Sequence, residues 1–151
     1  MNRTLQNHLS LNRRVVALLL VSVIGLALMQ PSLSAAQGTD LAQGKTATAS
    51  STYASYTASQ AVDGNSLTMW WSEGGTDFLG GPIWLQVDLG AVYTVGEVRL
   101  LWGSGDYGEN YDVQTKVNAG DAWTTQFSMV GATGGQQNHT FTPVSAQYVQ
   151  I

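Results

Sequence analysis

The 151-residue chain contains no cysteine, and this absence limits both how it is stabilised and what chemistry it can perform. Disulfide bonds are excluded, and so is a cysteine nucleophile. A chain exported in this form must therefore fold through the packing of its core, with a bound metal ion as the remaining source of cross-linking.

Basic residues are also scarce, with six Lys and Arg against ten Asp and Glu. Three of the six lie before residue 36, so the rest of the chain keeps only Lys45, Arg99 and Lys116 beside all ten acids. Binding to nucleic acid or to an anionic membrane needs clustered Lys and Arg. We therefore expect no nucleic-acid partner and no membrane binding.

The first 36 residues have the order of a secretion signal. Arg13 and Arg14 precede an apolar run over residues 15–29, and Pro31 and the small residues 34–36 follow it. The run is 15 residues long, shorter than the roughly 20 that span a bilayer. We therefore favour a signal peptide over residues 1–36, cleaved near Ala36, above an uncleaved membrane anchor. This predicts a secreted domain over residues 37–151.

The rest of the chain has the period-2 alternation of strands and no helical stripe. Gly90 is expected to end the first strand, and Gly-rich loops separate the others, at residues 73–82, 103–109 and 131–138. This spacing predicts an all-β antiparallel sandwich or jelly roll. The predicted strands are an edge strand within 39–56, then 83–89, 95–102, 111–117, 124–130 and a last one from 148.

The sequence ends within this last predicted strand, at Ile151. We interpret the chain as a fragment whose last strand is truncated. Because a missing strand leaves an unpaired sheet edge, the fragment is expected to be less stable than an intact domain.

Short motifs follow one another along residues 39–151 in a distinctive order. They are LAQGK (41–45), ATASS (47–51), AVDGN (61–65), WLQVDLG (84–90), YDVQ (111–114) and YVQI (148–151). This order resembles a known family, the coagulation factor 5/8 type C (discoidin) domains, and especially their bacterial branch, the family 32 carbohydrate-binding modules.

The resemblance implies a jelly-roll β-sandwich of the galactose-binding-like fold, with a ligand site in the loops at one end and a structural calcium ion. It also implies attachment to a secreted glycoside hydrolase. Three departures stand out: Met69 replaces an arginine common in the family, the segment from Trp71 to Pro82 is bulkier and longer, and the closing strand with a calcium-ligating glutamate is missing.

Calcium is a hard cation that takes roughly six to eight oxygen ligands. By resemblance, the ligands are the carbonyls of Gln60 and Asn65, the side chain of Asp63, and both oxygens of Thr68. The residues alone leave open a metal-free turn in which Asp63 caps the backbone. Without the glutamate, weakened calcium binding is expected.

A sugar presents a face of C–H groups flanked by hydroxyls, so its site needs exposed aromatic rings and nearby polar groups. The loops supply both, and the predicted ligand residues are Trp71, Tyr107, Phe78, Tyr53 and Asn110. Tyr56 lies in the same loop region as Tyr53. The aromatic residues on strands are expected in the core, and His139 at the surface. These core candidates are Trp70, Trp84, Trp102, Tyr111 and Trp123.

No catalytic constellation is apparent, because His139 is the single histidine after residue 36 and the loop carboxylates are typical of a solvated acidic surface. The sequence therefore favours a non-catalytic module that binds a glycan or polysaccharide and targets an attached glycoside hydrolase. The alternative is a cell-surface or protein adhesion module of discoidin type. Lipid binding lacks its basic residues, and a structural spacer remains open.

Overall fold

The computed structural model describes residues 16–22, 38–74 and 81–151. Within these ranges every strand pairing is antiparallel, and the one helix is a short 3₁₀ turn at Ala58–Ala61. The predicted all-β antiparallel class is confirmed. The strands are β1 (Val16–Ser22), β2 (Thr46–Ala49), β3 (Trp70–Trp71), β4 (Leu85–Trp102), β5 (Tyr111–Lys116), β6 (Thr124–Met129) and β7 (Gln136–Gln150).

Two long strands, β4 and β7, hold the fold together. They pair with each other along most of their length, and the ladder is irregular between Asp88 and Tyr93 and again between Val95 and Glu97. The prediction of separate strands at 83–89 and 95–102 is therefore wrong. The chain passes through Gly90 as one strand, because the irregularities change the register without ending the pairing.

The described strands form one seven-stranded sheet in the order β3-β1-β4-β7-β5-β6, and β2 lies off this path, paired with the first residues of β4. Both halves of β4 bury alternate side chains, as a period-2 strand does when one face is covered. The buried side chains from both halves of β4 belong to one hydrophobic cluster. The two halves of the sheet therefore pack against each other as two layers. The cluster includes Leu85, Val87 and Leu89 from the first half, and Val98, Leu100 and Trp102 from the second.

Strand β7 begins at Gln136, within the segment that the sequence predicts as loop. Its first residues are polar, yet Gln136 and Gln137 lie opposite Leu101 and Leu100 of β4. Pairing with β4 holds these residues in an extended conformation. Their sequence has no alternation of apolar and polar residues, so it does not predict a strand. At the other end the pairing continues to Ile151, which exchanges two backbone hydrogen bonds of 3.0 Å with Leu85.

Strand β1 lies within the predicted signal peptide, between β3 and β4. Its Ala17 is opposite Trp70 of β3 on one side and Trp102 of β4 on the other. Removal of residues 1–36 stays a prediction. Among the described residues, no helix is long and apolar enough to cross a membrane.

The predicted core aromatics separate into two groups. Trp70 and Trp102 are buried, as expected, whereas Trp84, Tyr111 and Trp123 are half-buried. The Trp123 ring lies against the Lys116 ammonium group, 4.4 Å from the ring centroid. Trp123 therefore makes a cation–π contact near the surface and does not fill the interior.

The expectation that His139 lies at the surface is wrong, because the residue is 2% exposed. It is opposite Val98 in the β4–β7 ladder, on the face of β7 that turns inward. Its ring stacks on Phe127 at 4.4 Å, and its Nε2 lies 2.9 Å from the Tyr111 hydroxyl. Burial lowers the pKa of His139, so the neutral imidazole is the form that the fold favours.

Candidate functional site

The strand register places two loop regions at the same end of the molecule. Trp70, Ala17 and Trp102 lie side by side on three adjacent strands. Both β3 and β4 run antiparallel to β1, so the chain leaves both strands in the same direction. Strands β3 and β4 lie two strand spacings apart, a distance of about 10 Å. The segments that follow Trp71 and Trp102 therefore flank one end of the sheet.

Trp71 is the centre of an aromatic cluster at this end. The Tyr56 ring stacks on it, with ring centroids 4.5 Å apart and planes inclined by 19°. The Tyr53 ring is tilted by 31° at 6.1 Å. All three side chains are half-buried. The cluster of Tyr53, Tyr56 and Trp71, here called the aromatic platform, therefore presents ring surface to solvent.

Backbone hydrogen bonds fix the platform against β3. The Tyr53 N–H donates to the Trp71 carbonyl at 2.8 Å, and the Trp71 N–H donates to the Tyr56 carbonyl at 3.3 Å. The Tyr56 N–H donates to the Tyr53 carbonyl at 3.1 Å, which closes a turn between the two tyrosines. The rings are consequently pre-positioned by main-chain contacts, which lowers the entropy lost when a ligand binds.

The neighbouring tryptophans face opposite ways, as adjacent residues in an extended strand should. Trp70 is 1% exposed, and its indole N–H donates to the Ser51 carbonyl at 2.9 Å. The Trp71 indole N–H lies 2.9 Å from the Met69 sulfur. Trp70 thus anchors β3 in the core and leaves Trp71 at the surface. The ligand-binding role of Trp71 and Tyr53 stays a prediction.

Tyr107 occupies the other side of the same end, and packing determines its position. Its half-buried ring lies so close to Gly134 that an added Cβ there would be 2.8 Å from the Tyr107 Cδ1 atom. The ring also packs against the edge of the hydrophobic core. Tyr107 therefore joins the loop after β4 to the loop before β7, and only part of its surface faces solvent.

Asn110 has a related structural role. Its Oδ1 accepts a hydrogen bond from the Gly131 backbone N–H at 3.0 Å. The Ala132 N–H donates to the neighbouring Glu109 carbonyl at 2.8 Å. The side-chain oxygen that would bind a sugar hydroxyl thus holds two loops together.

Of the predicted ligand residues, the structure brings Tyr53 and Trp71 into contact and places Tyr107 and Asn110 in a second group across the end of the sheet. Phe78 lies outside the described residues. The site also contains Tyr56, which the sequence placed in the right loop but did not single out. Its spacing of three residues from Tyr53, across a turn, is the pattern that could have identified it.

Acidic residues surround this end. Glu73 is exposed two residues after Trp71, and its backbone N–H donates to the Ser51 hydroxyl at 3.1 Å. Asp106 and Glu109 lie in the loop after β4. The basic residues beyond position 36 lie on other segments: Lys45 before β2, Arg99 in an ion pair with Glu97 at 2.7 Å, and Lys116 at the far end of β5.

Three of the four predicted calcium ligands converge in one loop. The Thr68 hydroxyl donates to the Asp63 carboxylate at 2.7 Å and lies 2.8 Å from the Asn65 carbonyl. The second Asp63 oxygen accepts the Asn65 N–H at 2.8 Å. The hydrogen bond from Thr68, and then that from Asn65, lower the pKa of Asp63. A carboxylate, a hydroxyl and a carbonyl are thus gathered within a few ångströms, which suits a hard cation.

The fourth predicted ligand is the backbone carbonyl of Gln60, and the Gln60 side chain has a separate role. Its Oε1 accepts the Thr57 N–H at 2.8 Å and caps the start of the 3₁₀ helix. Within residues 38–74 and 81–151, no three His, Cys, Asp or Glu side chains gather as a metal cluster. A cation in this loop would therefore depend on Asp63 for its negative charge and on neutral oxygens for the rest, and calcium binding stays a prediction.

Comparison with known proteins identifies the family. Residues 46–151 match the F5/8 type C domain. A comparison with curated protein sequences gives no match. The chain resembles the crystal structure of chitosan-binding module 1 from a chitosanase/glucanase of Paenibacillus sp. IK-5, with 41% identity over 73% of this chain and 82% of that one and a TM-score of 0.66.

A second module of the same Paenibacillus enzyme, solved in complex with chitotriose, is 31% identical over 73% of this chain and 83% of that one, with a TM-score of 0.65. CpGH89CBM32-5 of Clostridium perfringens, solved with GalNAc-β-1,3-galactose, shares the fold at 21% identity over 73% and 84% of the two chains, with a TM-score of 0.60. The resemblance seen in the sequence motifs is confirmed, and the chain belongs to the F5/8 type C domain family.

Proposed function

We propose that this domain is a non-catalytic carbohydrate-binding module whose ligand is a glucosamine polymer of the chitosan class, bound at the aromatic platform. The observation that carries the proposal is the partly exposed cluster of Tyr53, Tyr56 and Trp71 at the loop end of the sheet. The solved chitosan-binding modules, at 41% and 31% identity, support this ligand class.

The platform suits a sugar because its rings are apolar, flat and held in place. A pyranose ring covers its C–H face when it lies on an aromatic ring, and its hydroxyls remain at the rim. Main-chain hydrogen bonds from Tyr53 and to Tyr56 hold the rings where a ligand would meet them. Most of the binding energy should therefore come from Trp71, at the centre of the cluster.

The charge of the site favours an amino sugar over a neutral or acidic one. Glu73 is exposed beside the platform, and Asp106 and Glu109 line the opposite loop. A glucosamine unit carries an amine that becomes cationic on protonation, and carboxylates close to it add attraction. An anionic polysaccharide would be repelled by the same groups.

Secretion, an attached enzyme and a bound calcium ion are further properties that we propose for this domain. We propose that the protein is secreted after removal of residues 1–36, that the domain targets an attached glycoside hydrolase to its polymer, and that the loop of Asp63, Asn65 and Thr68 holds a structural calcium ion. The convergence of three oxygens in that loop supports the last point. The chitosanase/glucanase from which two similar modules derive supports the second.

Calorimetric titration with three oligosaccharides of equal length tests the ligand: a glucosamine oligomer, its N-acetylated counterpart, and a neutral β-1,4-glucan. We expect the first to bind most tightly and to weaken as salt is added, because charge screening reduces the acid–amine attraction. Trp71→Ala should cost about 2 kcal/mol, which is about a 30-fold loss of affinity. Trp123→Ala is the matched control and should leave affinity unchanged, because this half-buried tryptophan lies just before β6, against Lys116 at the far end of β5.

Equal binding of the neutral glucan would refute the amino-sugar class while leaving glycan binding intact. Absence of binding to all three, with wild-type protein that is folded, would refute the carbohydrate proposal and favour the adhesion alternative. Equal losses of oligosaccharide affinity in Trp71→Ala and Trp123→Ala would mean that the aromatic platform is not the glycan-binding site.

A further inference from the structure

Met69 contacts the edge of the Trp71 indole ring. Its sulfur accepts a hydrogen bond from the indole N–H, with 2.9 Å between the Trp71 Nε1 atom and the sulfur. Both side chains are half-buried, so each is partly accessible to solvent. A thioether sulfur is a weak hydrogen-bond acceptor, and oxidation converts it to a polar sulfoxide. The central ring of the aromatic platform therefore contacts an atom that can be chemically modified.

The contact is too short to admit another atom. An N–H···O hydrogen bond takes about 2.9 Å between nitrogen and oxygen, which is the whole of the present distance between Trp71 Nε1 and the Met69 sulfur. An oxygen bound to the sulfur on this side has no room unless one of the two side chains moves. An oxygen bound on the opposite side makes the group polar, so contact with water draws it away from the ring. Either movement ends the present contact.

The Trp71 main chain is held on both sides, so the change falls on the side chains. Its N–H donates to the Tyr56 carbonyl, and its carbonyl accepts the Tyr53 N–H. The indole ring stacks on the Tyr56 ring with centroids 4.5 Å apart, and an indole that turns about its side-chain bonds loses this stacking. The arrangement of the platform therefore depends on whether Met69 is a thioether or a sulfoxide.

We propose that Met69 is an oxidation site for hydrogen peroxide, and that its conversion to methionine sulfoxide displaces the Trp71 ring and weakens glycan binding at the platform. In this reaction a sulfur lone pair attacks one peroxide oxygen, and the S–O bond forms as the O–O bond breaks. The second oxygen takes both protons and leaves as water, so the sulfur loses the two electrons that the peroxide gains. Only the last step, weaker glycan binding, rests on the proposed function.

Met129 provides the matched control. It is also half-buried, but it lies in β6, opposite Tyr111. Strands β6 and β3 are at the two ends of the strand order, so Met129 belongs to a different part of the sheet from Trp71. Leucine is a suitable replacement for either methionine, because it keeps the side-chain volume nearly constant and has no sulfur to oxidise.

Treatment of the full-length protein with dilute hydrogen peroxide tests the modification without any glycan. Peptide mass spectrometry should find one added oxygen on Met69. The NMR signal of the Trp71 indole N–H, assigned by its loss in Trp71→Phe, should move on oxidation of the wild-type protein and of Met129→Leu, and stay in place in Met69→Leu. A Met69 that stays unoxidised while other methionines are converted overturns the proposal. So does a Trp71 signal that does not move, or that moves equally in Met69→Leu.

Calorimetric titration with the glucosamine oligomer, before and after oxidation of each protein, tests the effect on binding. Loss of an aromatic contact of this kind should weaken affinity about tenfold in the wild-type protein and in Met129→Leu, but not in Met69→Leu. Methionine sulfoxide reductases should restore it. A Trp71 signal that moves with no loss of affinity overturns the link to binding. If Trp71→Ala then also binds the oligomer normally, the error lies in the proposed glycan site and not in the modification of Met69.

Discussion

Gly134 and Gly135 are adjacent residues that offer a matched test of how Tyr107 is held. Both have positive φ angles, +79° and +68° respectively. An added Cβ at Gly134 would lie 2.8 Å from the Tyr107 Cδ1 atom and 3.2 Å from Cε1, whereas one at Gly135 would meet nothing within 4 Å. Alanine at either position strains the backbone, but only alanine at Gly134 collides with the ring.

The two costs can be separated. A left-handed conformation costs a non-glycine residue about 1–2 kcal/mol, and this applies to both variants. Forcing an extra carbon into a packed contact costs about 1–3 kcal/mol more. The blocking atoms lie near the root of the Tyr107 ring, so the side chain has to move as a whole. We therefore expect Gly134→Ala to destabilise the domain by about 1–3 kcal/mol more than Gly135→Ala does.

Denaturant unfolding of the two variants measures this difference. The double variant Gly134→Ala/Tyr107→Ala then isolates the contact, because removal of the ring should reduce the cost of alanine at Gly134 to that at Gly135. This coupling is the quantity that a double-mutant cycle reports. Thermal unfolding should show the same order, with about 4–8 °C lost for each kcal/mol in a domain of this size.

Equal destabilisation by the two alanines, or a double variant with no recovery, would refute the packing of Tyr107 on Gly134. The result also bears on function. If Tyr107 contacts the glycan, Gly134→Ala should weaken binding as well as stability, whereas Gly135→Ala should leave binding at its wild-type level.

Three further outcomes are expected. Calcium should raise the melting temperature of the wild-type protein but not that of Asp63→Ala, and an unchanged wild-type melting temperature in calcium would contradict the calcium proposal. Burial lowers the pKa of His139, so its contribution to stability is complete above about pH 6.5 and declines as the pH falls from there towards the folded-state pKa. Denaturant midpoints between pH 7.5 and 5 should show this loss, and it should shrink in His139→Gln; equal slopes would refute it. Leu100→Ala, which empties a fully buried position, should cost about 2–5 kcal/mol, whereas Leu67→Ala at an 86% exposed position should stay within about 0.5 kcal/mol; similar denaturation midpoints would contradict the assigned core.

The fold was predictable where side chains alternate between core and solvent. Leu85, Val87 and Leu89 follow that pattern, and so do Val98 and Leu100, so the sequence predicts most of β4, although as two strands. Gln136 and Gln137 have no such pattern, because their strand is specified by pairing with β4. A strand that is stabilised mainly by pairing with its neighbour needs no alternation of apolar and polar residues in its own sequence.

The site was predictable only in part. Strand geometry predicts that Trp70 and Trp71 point in opposite directions, so that when Trp70 is in the core Trp71 is at the surface. Its residue type and its loop predict Asn110 as a ligand residue, yet its side-chain oxygen Oδ1 accepts the Gly131 N–H. Sequence cannot distinguish an amide that meets a ligand from one that ties two loops, because that depends on a contact between residues 21 positions apart.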